Sequence, residues 1–289
     1  MNKQQKKLKS GFITIIGRSN VGKSTLMNTM IGTKIAGVST KAQTTRSIIH
    51  GVINNEKGQA VLIDTPGVFK HKKNLLSGKL LKRVRQSLQD IDIVLYMVDP
   101  SREFGEEERY AMSIIRKINA PKILAINKCD LPEKQKPCID DYRDISDEFS
   151  AVFEISALKN RHIKPLVEKI FELLPEGPAM YPDNQLTNLS TEEWIAEIIL
   201  EKIFNLMRQE APYTSRVEVE SMEEKKDIIV VKATIFTTHS RYKKMLIGKN
   251  GRAIKEIGTS ARKELETALN KKIYLELEVE VDAHWEERV

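Results

Sequence analysis

Short apolar runs alternate with amphipathic stretches through the first 175 residues of the chain. Phe12–Ile16, Ser47–Ile53, Ala60–Ile63, Ile93–Val98, Lys122–Ile126 and Ala151–Ile155 read as strands. Ser24–Ile31, Leu75–Leu88, Glu106–Ile118 and Ile163–Leu174 read as helices. Val94–Val98 is apolar at every position, which suits a strand covered on both faces. Alternating strands and helices predict an α/β domain with a mostly parallel sheet. The second strand, after a long loop, suits an antiparallel edge.

Pro175–Asn188 carries three prolines, one glycine and no long apolar run, and is the linker candidate. The domains expected are 1–175 and 191–289, joined by 176–190. Beyond the linker, Trp194, Ile195, Ile198, Ile199, Lys202 and Ile203 recur at helical spacing within Thr191–Gln209. Thr191 followed by Glu193 suits a capped start. Val217–Val219 and Ile228–Phe236 read as strands around the turn-like Glu223–Asp227. Two helices follow, broken at Gly248–Gly251. Ile273–Val281 alternates apolar and charged residues as a strand does. The second domain is therefore a smaller α+β unit in the order α-β-β-α-α-β. The closing His284–Val289 reads as too short and plain to add to it.

Composition narrows the classes. Of 289 residues, 40% are hydrophobic and 30% charged, which is globular. No apolar run approaches the ~20 residues that span a bilayer, and Phe12–Ile16 is too short for a signal peptide's apolar region. Two cysteines, Cys129 and Cys138, supply neither a disulfide framework nor a cysteine-rich zinc site. The expected location is the cytoplasm. Residues 1–180 hold 30 basic and 20 acidic residues, and residues 181–289 hold 17 and 20. Within that acidic second part, His239–Lys272 holds 10 basic and 3 acidic residues. A basic island in an acidic domain marks a polyanion site or a solvated helix face.

The motifs choose between these readings. Gly17-Arg18-Ser19-Asn20-Val21-Gly22-Lys23-Ser24, with Thr25 behind it, follows a strand and opens a helix, the context of a phosphate-binding loop. Its backbone N–H groups and helix N-terminus face negative charge. Lys23 reaches the β- and γ-phosphates and Ser24 binds magnesium. Asp64-Thr65-Pro66-Gly67 stands at the end of a strand, with Asp64 placed for the magnesium shell and the Gly67 N–H for the γ-phosphate. In Gln43-Thr44-Thr45-Arg46, a threonine can complete the magnesium shell, with Thr45 the first choice and Thr44 the second. Asn127-Lys128-Cys129-Asp130 selects guanine, because a carboxylate at Asp130 accepts from N1–H and the 2-amino group, donors that adenine lacks. Lys128 can lie over the base, and Asn127 can tie its loop to the phosphate loop. Ser156-Ala157, with Leu158 after it, supplies a backbone N–H for the base's O6. Val68 stands where Ras-type proteins place a glutamine that orients water, and valine has no group for that task. Between the two predicted helices, Ile247-Gly248-Lys249-Asn250-Gly251-Arg252 carries G-x-x-G, whose glycines let RNA approach the backbone. Lys249 and Arg252 would meet phosphates. Arg241, Lys244 and Lys255 belong to the same island. Ile247 and Ile254 read mainly as core with a share in a base groove, Ile257 as core, and Ile273–Val281 as a solvated edge.

These residues resemble the Era family of the TrmE–Era–EngA branch of translational GTPases. The likeness rests on N-V-G-K-S, K-A-Q-T-T-R (Lys41–Arg46), D-T-P-G-V (Asp64–Val68), N-K-C-D, I-S-A-L (Ile155–Leu158), Y-P-D-N-Q-L-T (Tyr181–Thr187) and the G-x-x-G unit. It implies a P-loop GTPase domain followed by a type II KH domain. The implied function is a slow GTP-hydrolysing switch, cycling between GTP and GDP, with Lys23, Asp64, Thr45 and Asn20 at the reaction. Its implied partners are the 3′ region of 16S ribosomal RNA and the 30S subunit, which it helps to assemble as a monomer. The resemblance also implies potassium beside the phosphates, held by Asn20, and peripheral contact with the inner face of the cell membrane. Lys70–Arg85, with seven basic and no acidic residues, could face anionic lipid or rRNA, or be one solvated helix surface. The alternatives are a membrane-surface regulatory GTPase, or an RNA-binding scaffold in which GTP is structural only.

Overall fold

A computed structural model of the protein describes residues 8–39, 41, 48–65, 90–207 and 210–285. The helix expected over Leu75–Leu88, the basic run Lys70–Arg85, Thr44, Thr45, Pro66, Gly67 and Val68 lie outside the described residues. The chain divides into two compact units. One is Met1–Ile35 with Thr45–Asn188, and the other is Ala36–Thr44 with Leu189–Val289.

In the first unit the strands are β1 (Lys9–Ile16), β2 (Ile49–Asn55), β3 (Gly58–Asp64), β4 (Ile93–Val98), β5 (Lys122–Ile126) and β6 (Ala151–Glu154). They lie in the order β2-β3-β1-β4-β5-β6, and only the β2–β3 pair is antiparallel. The chain leaves β1 for β3 on one side and reaches β4 on the other. The reversal opens a crevice at the strands' carboxyl ends, where ligands bind in such sheets. All six residues of β4 are buried, as their unbroken apolar run demands. The β2–β3 turn closes at Gly58, whose φ is 138° and whose added Cβ would lie 1.9 Å from Lys9 O. Only glycine fits there. The helices are α1 (Lys23–Ile31), α2 (Glu106–Ile115), α3 (Ile139–Arg143) and α4 (Ile163–Leu173). Helix α2 stops three residues before the expected Ile118. Its last turn tightens through Lys117 N to Ile114 O and Ile118 N to Ile115 O, and Pro121 follows. The proline-bearing segment after α4 runs along edge strand β2. Val52 N donates to Leu186 O, and the Gln59 side chain accepts from Met180 N and Tyr181 N.

The second unit contains α5 (Thr191–Leu206), β7 (Ser215–Glu224), β8 (Ile228–Thr237), α6 (Ser240–Ile247), α7 (Arg252–Leu269) and β9 (Lys272–Val281). This is the α-β-β-α-α-β order read from the pattern. β8 pairs antiparallel with β7 and parallel with β9. Ile195, Ile198, Ile199 and Ile203 of α5 are wholly buried against the sheet and against Leu246, Ile257 and Leu265. The cap of α5 is Ser190, one residue before the expected Thr191. The Ser190 hydroxyl accepts from Glu193 N at 3.2 Å, and Ser190 N donates to the Glu193 carboxylate at 2.8 Å. Two features of this unit escape sequence reasoning. Trp285, in the tail expected to add nothing, is 1% exposed and donates its indole N–H to Thr214 O. The segment beginning at Ala36 also packs here. Val38 N donates to the Glu201 carboxylate at 2.8 Å, and the Lys41 ammonium donates to the carbonyls of Phe204 and Met207 at the end of α5.

Candidate nucleotide site and nucleic-acid interface

The phosphate loop spans the turn between β1 and α1. Gly22 takes φ 105°, and an added Cβ would lie 2.6 Å from Asn127 Nδ2. Its glycine is thus required by backbone shape and by the approach of the base-recognition loop. Asn20 is also left-handed, at φ 65°. Lys23 is buried, and its ammonium donates to Gly17 O (3.2 Å) and Arg18 O (2.8 Å). Burial pulls its pKa down to about 8, against the opposing pull of Asp64 and Glu107. The Ser24 hydroxyl donates to Asp64 Oδ2 at 2.6 Å. Two hard oxygen ligands thus stand side by side, the donor set that magnesium takes. Thr65 turns its hydroxyl away, onto Ile15 O at 2.9 Å.

At the base end, Asn127 joins three loops. Its Nδ2 donates to Val21 O at 2.7 Å, and its Oδ1 accepts from Ala157 N at 2.9 Å. Cys129 N donates to Ile155 O. The Ser156 hydroxyl beside Asp130 holds its carboxyl below the usual carboxylate range, which favours the anion. Lys128, expected over the base, places its ammonium on the buried carboxylate of Asp99. Leu158 is exposed. Sequence reasoning missed Thr29, whose hydroxyl donates to Ala157 O at 2.8 Å. It also missed Asp99 and the acidic first turn of α2. No motif marks these residues, because their partners are far away in the chain.

In the second unit, Gly248 (φ 73°), Asn250 (φ 52°) and Gly251 (φ 75°) make the sharp turn between α6 and α7. A Cβ on Gly248 would lie 2.8 Å from Ala253 Cβ, whereas beside Gly251 there is open space. Lys244, Lys249, Asn250, Arg252 and Lys255 are exposed around it. Arg241, expected among the RNA contacts, lies 4.5 Å over the Tyr242 ring and pairs with Glu210 at 3.1 Å. Next to the turn lies a groove of about 380 Å³. It is lined by Ile254, Lys255, Gly258, Thr259 and Arg262 of α7 and by Leu275 and Leu277 of β9. Ile254 lines this groove, Ile247 instead packs against the core, and Ile257 is wholly buried core. Strand β9 is an edge of its sheet, as expected, but only one face is solvated: its alternation sets Leu275 and Leu277 on the groove side and Glu276, Glu278 and Glu280 opposite. Gly258 admits this approach, since a Cβ there would lie 3.3 Å from Leu277 Cδ1.

Comparison with known proteins agrees with this division. A family model described as a 50S ribosome-binding GTPase matches residues 12–128, and a KH-domain model matches residues 210–286. The chain is 41% identical to GTPase Era of Thermoanaerobacter pseudethanolicus over 281 residues, which cover 96% of this chain and 92% of that protein. Among solved structures, Aquifex aeolicus Era bound to GDP and AlF4− matches with a TM-score of 0.90 at 36% identity, over 97% of this chain and 96% of that one. A structure of Era with MgGDPNP and nucleotides 1506–1542 of 16S ribosomal RNA matches with a TM-score of 0.89, at the same identity and coverage.

Proposed function

The chain belongs to the Era family of GTPases, and from that premise we propose that it is a GTP-hydrolysing, RNA-binding switch acting as a monomer. It binds the 3′ region of 16S ribosomal RNA and assists assembly of the 30S subunit in the cytoplasm. The single observation that supports this most is the junction at Asn127, which draws the phosphate loop and the Ala157 turn onto the loop carrying an ionised Asp130. The G-x-x-G turn beside an apolar groove with a basic rim supplies the RNA half.

The chemistry follows from the residues. Loop N–H groups from Gly17 to Thr25 and the α1 N-terminus receive the phosphates. Lys23 adds charge where the γ-phosphate leaves. Ser24 and Asp64 would hold magnesium, with Thr45 completing the set. When bound, that ion offsets the charge of the β- and γ-phosphates. Asp130 reads the base edge, with Lys128 and Cys129 beside it and Ala157 at O6. Asn20 is the proposed potassium ligand. The domains proposed are 1–175 and 191–289. RNA phosphates meet Lys249, Arg252, Lys244 and Lys255, and bases enter between Ile254 and Leu277. Titration with an oligonucleotide copying the 16S 3′ end, in GDPNP, tests the reading against a scrambled sequence of equal length. Equal affinity for the two would overturn it.

A further inference from the structure

The residues between β4 and the first turn of α2 reach both ends of the nucleotide site. Asp99, buried, receives the Lys128 ammonium from the base loop and also accepts from Ser101 N at 3.0 Å. Arg102 donates to Ser19 O of the phosphate loop at 2.9 Å. Arg18, the second residue of that loop, sends its side chain into the same stretch. Its Nε lies 2.8 Å from Glu107 Oε2, one terminal nitrogen lies 2.8 Å from Glu108 Oε2, and that nitrogen also donates to Glu103 O at 3.1 Å. Glu108 is 1% exposed, so that prong of the fork is shielded from water, while the Glu107 side chain stays a third exposed. The Arg18 carbonyl in turn accepts from the Lys23 ammonium at 2.8 Å. Displacing the Arg18 side chain therefore displaces an atom that fixes the phosphate-binding lysine.

We infer that Asp99–Glu108 is a latch on bound nucleotide, and that Arg18, held in the fork of Glu107 and Glu108, is the positioning residue through which it shapes the phosphate loop. The guanidinium meets the two carboxylates and the carbonyl from two separate nitrogens, a spread that a single ammonium does not have. The latch joins the phosphate and base subsites through one short stretch, so the two subsites release together. A partner that pulled this stretch away would speed exchange without touching the nucleotide. The inference rests on the GTPase reading above.

The test uses the full chain loaded with fluorescent mant-GDP, with release followed by stopped flow well below the melting temperature. Arg18→Gln and Arg102→Ala are expected to release GDP roughly tenfold faster or more. Arg18→Lys should fall between wild type and Arg18→Gln. The phosphorus NMR signal of the bound β-phosphate should move in each variant. Removing one partner of a buried ion pair also destabilises the fold, so the double variant Arg18→Gln with Glu108→Gln decides between positioning and mere structure. It replaces the buried charges by two amides and should recover melting temperature while release stays fast. Release that returns to the wild-type rate together with stability would overturn the latch. So would wild-type release and an unmoved phosphorus signal in Arg18→Gln. If the wild-type chain fails to hold mant-GDP at all, the GTPase reading falls instead.

Discussion

Asp130 and Lys23 show how single side chains are tuned here by their neighbours. The Ser156 hydroxyl pulls the Asp130 pKa below the usual carboxylate range, and in the proposed site its charge would set base choice. Replacing Asp130 by Asn should move the preference from GTP to XTP by roughly 100-fold or more, since the new amide donates to a 2-oxo group and no longer accepts from N1–H. Competition binding with the two nucleotides checks this, and unchanged preference would remove Asp130 from the base site. Lys23, at about 8, is near half-charged at pH 8 before nucleotide arrives. Arriving phosphates favour the charged form and raise its pKa. Binding at pH 8 should therefore take up about half a proton, and affinity should weaken as pH rises above 8. The stability sign runs the other way: the unfolded lysine binds more protons between about 8 and its ordinary pKa, so the nucleotide-free fold gains stability as pH rises through that window. Calorimetry in buffers of different ionisation heat measures the uptake, and a zero value would contradict the buried, part-neutral lysine.

At the scale of elements, the two turns proposed to bind phosphate differ in how they are held. The loop before α1 is fastened by side chains from three other segments. The turn between α6 and α7 stands exposed, shaped by its own backbone. Asn250 is left-handed, a conformation Asp also tolerates. Lys249→Asp with Asn250→Asp should therefore leave the fold and GTP affinity near normal. It should weaken single-stranded rRNA binding by roughly 100-fold and flatten its salt dependence, because fewer counterions are released. Filter binding across a salt series, beside a nucleotide titration, reads both effects. Wild-type RNA affinity with an unchanged salt slope would dismiss this turn as the RNA contact. The groove beside it is an element-scale product as well: Leu275 and Leu277 come to it from a strand, and Ile254 and Arg262 from a helix.

For the molecule as a whole, a GTPase unit and a KH unit are joined in one chain. Val68 offers no group to orient water, so turnover should be slow and should depend on an ion that Asn20 helps to hold. Turnover should fall by roughly tenfold when sodium replaces potassium at fixed ionic strength. Equal rates would exclude the ion from the mechanism. Single-turnover hydrolysis in potassium also separates a switch from a scaffold in which GTP is only structural. The chain crosses between the units more than once, since Ala36–Thr44 counts with the second although its neighbours on both sides count with the first.

The order of motifs, the parallel sheet with its antiparallel edge, and the α-β-β-α-α-β unit were all legible in the sequence. Each depends on local information: a period of 2 or 3.6, a glycine where φ is positive, a turn residue at a strand end. The nucleotide motifs were legible because a few residues close in sequence carry their chemistry. Tertiary structure alone decided what lies between them. Arg18 and Glu107 are 89 residues apart, and Lys41 and Met207 are 166 apart. Leu277 reads as one face of a strand until a glycine on α7 lets that face become a groove wall. Trp285 reads as a stray aromatic until Thr214 supplies its acceptor. Periodicity says which face of an element is buried, and only the closed fold says against what.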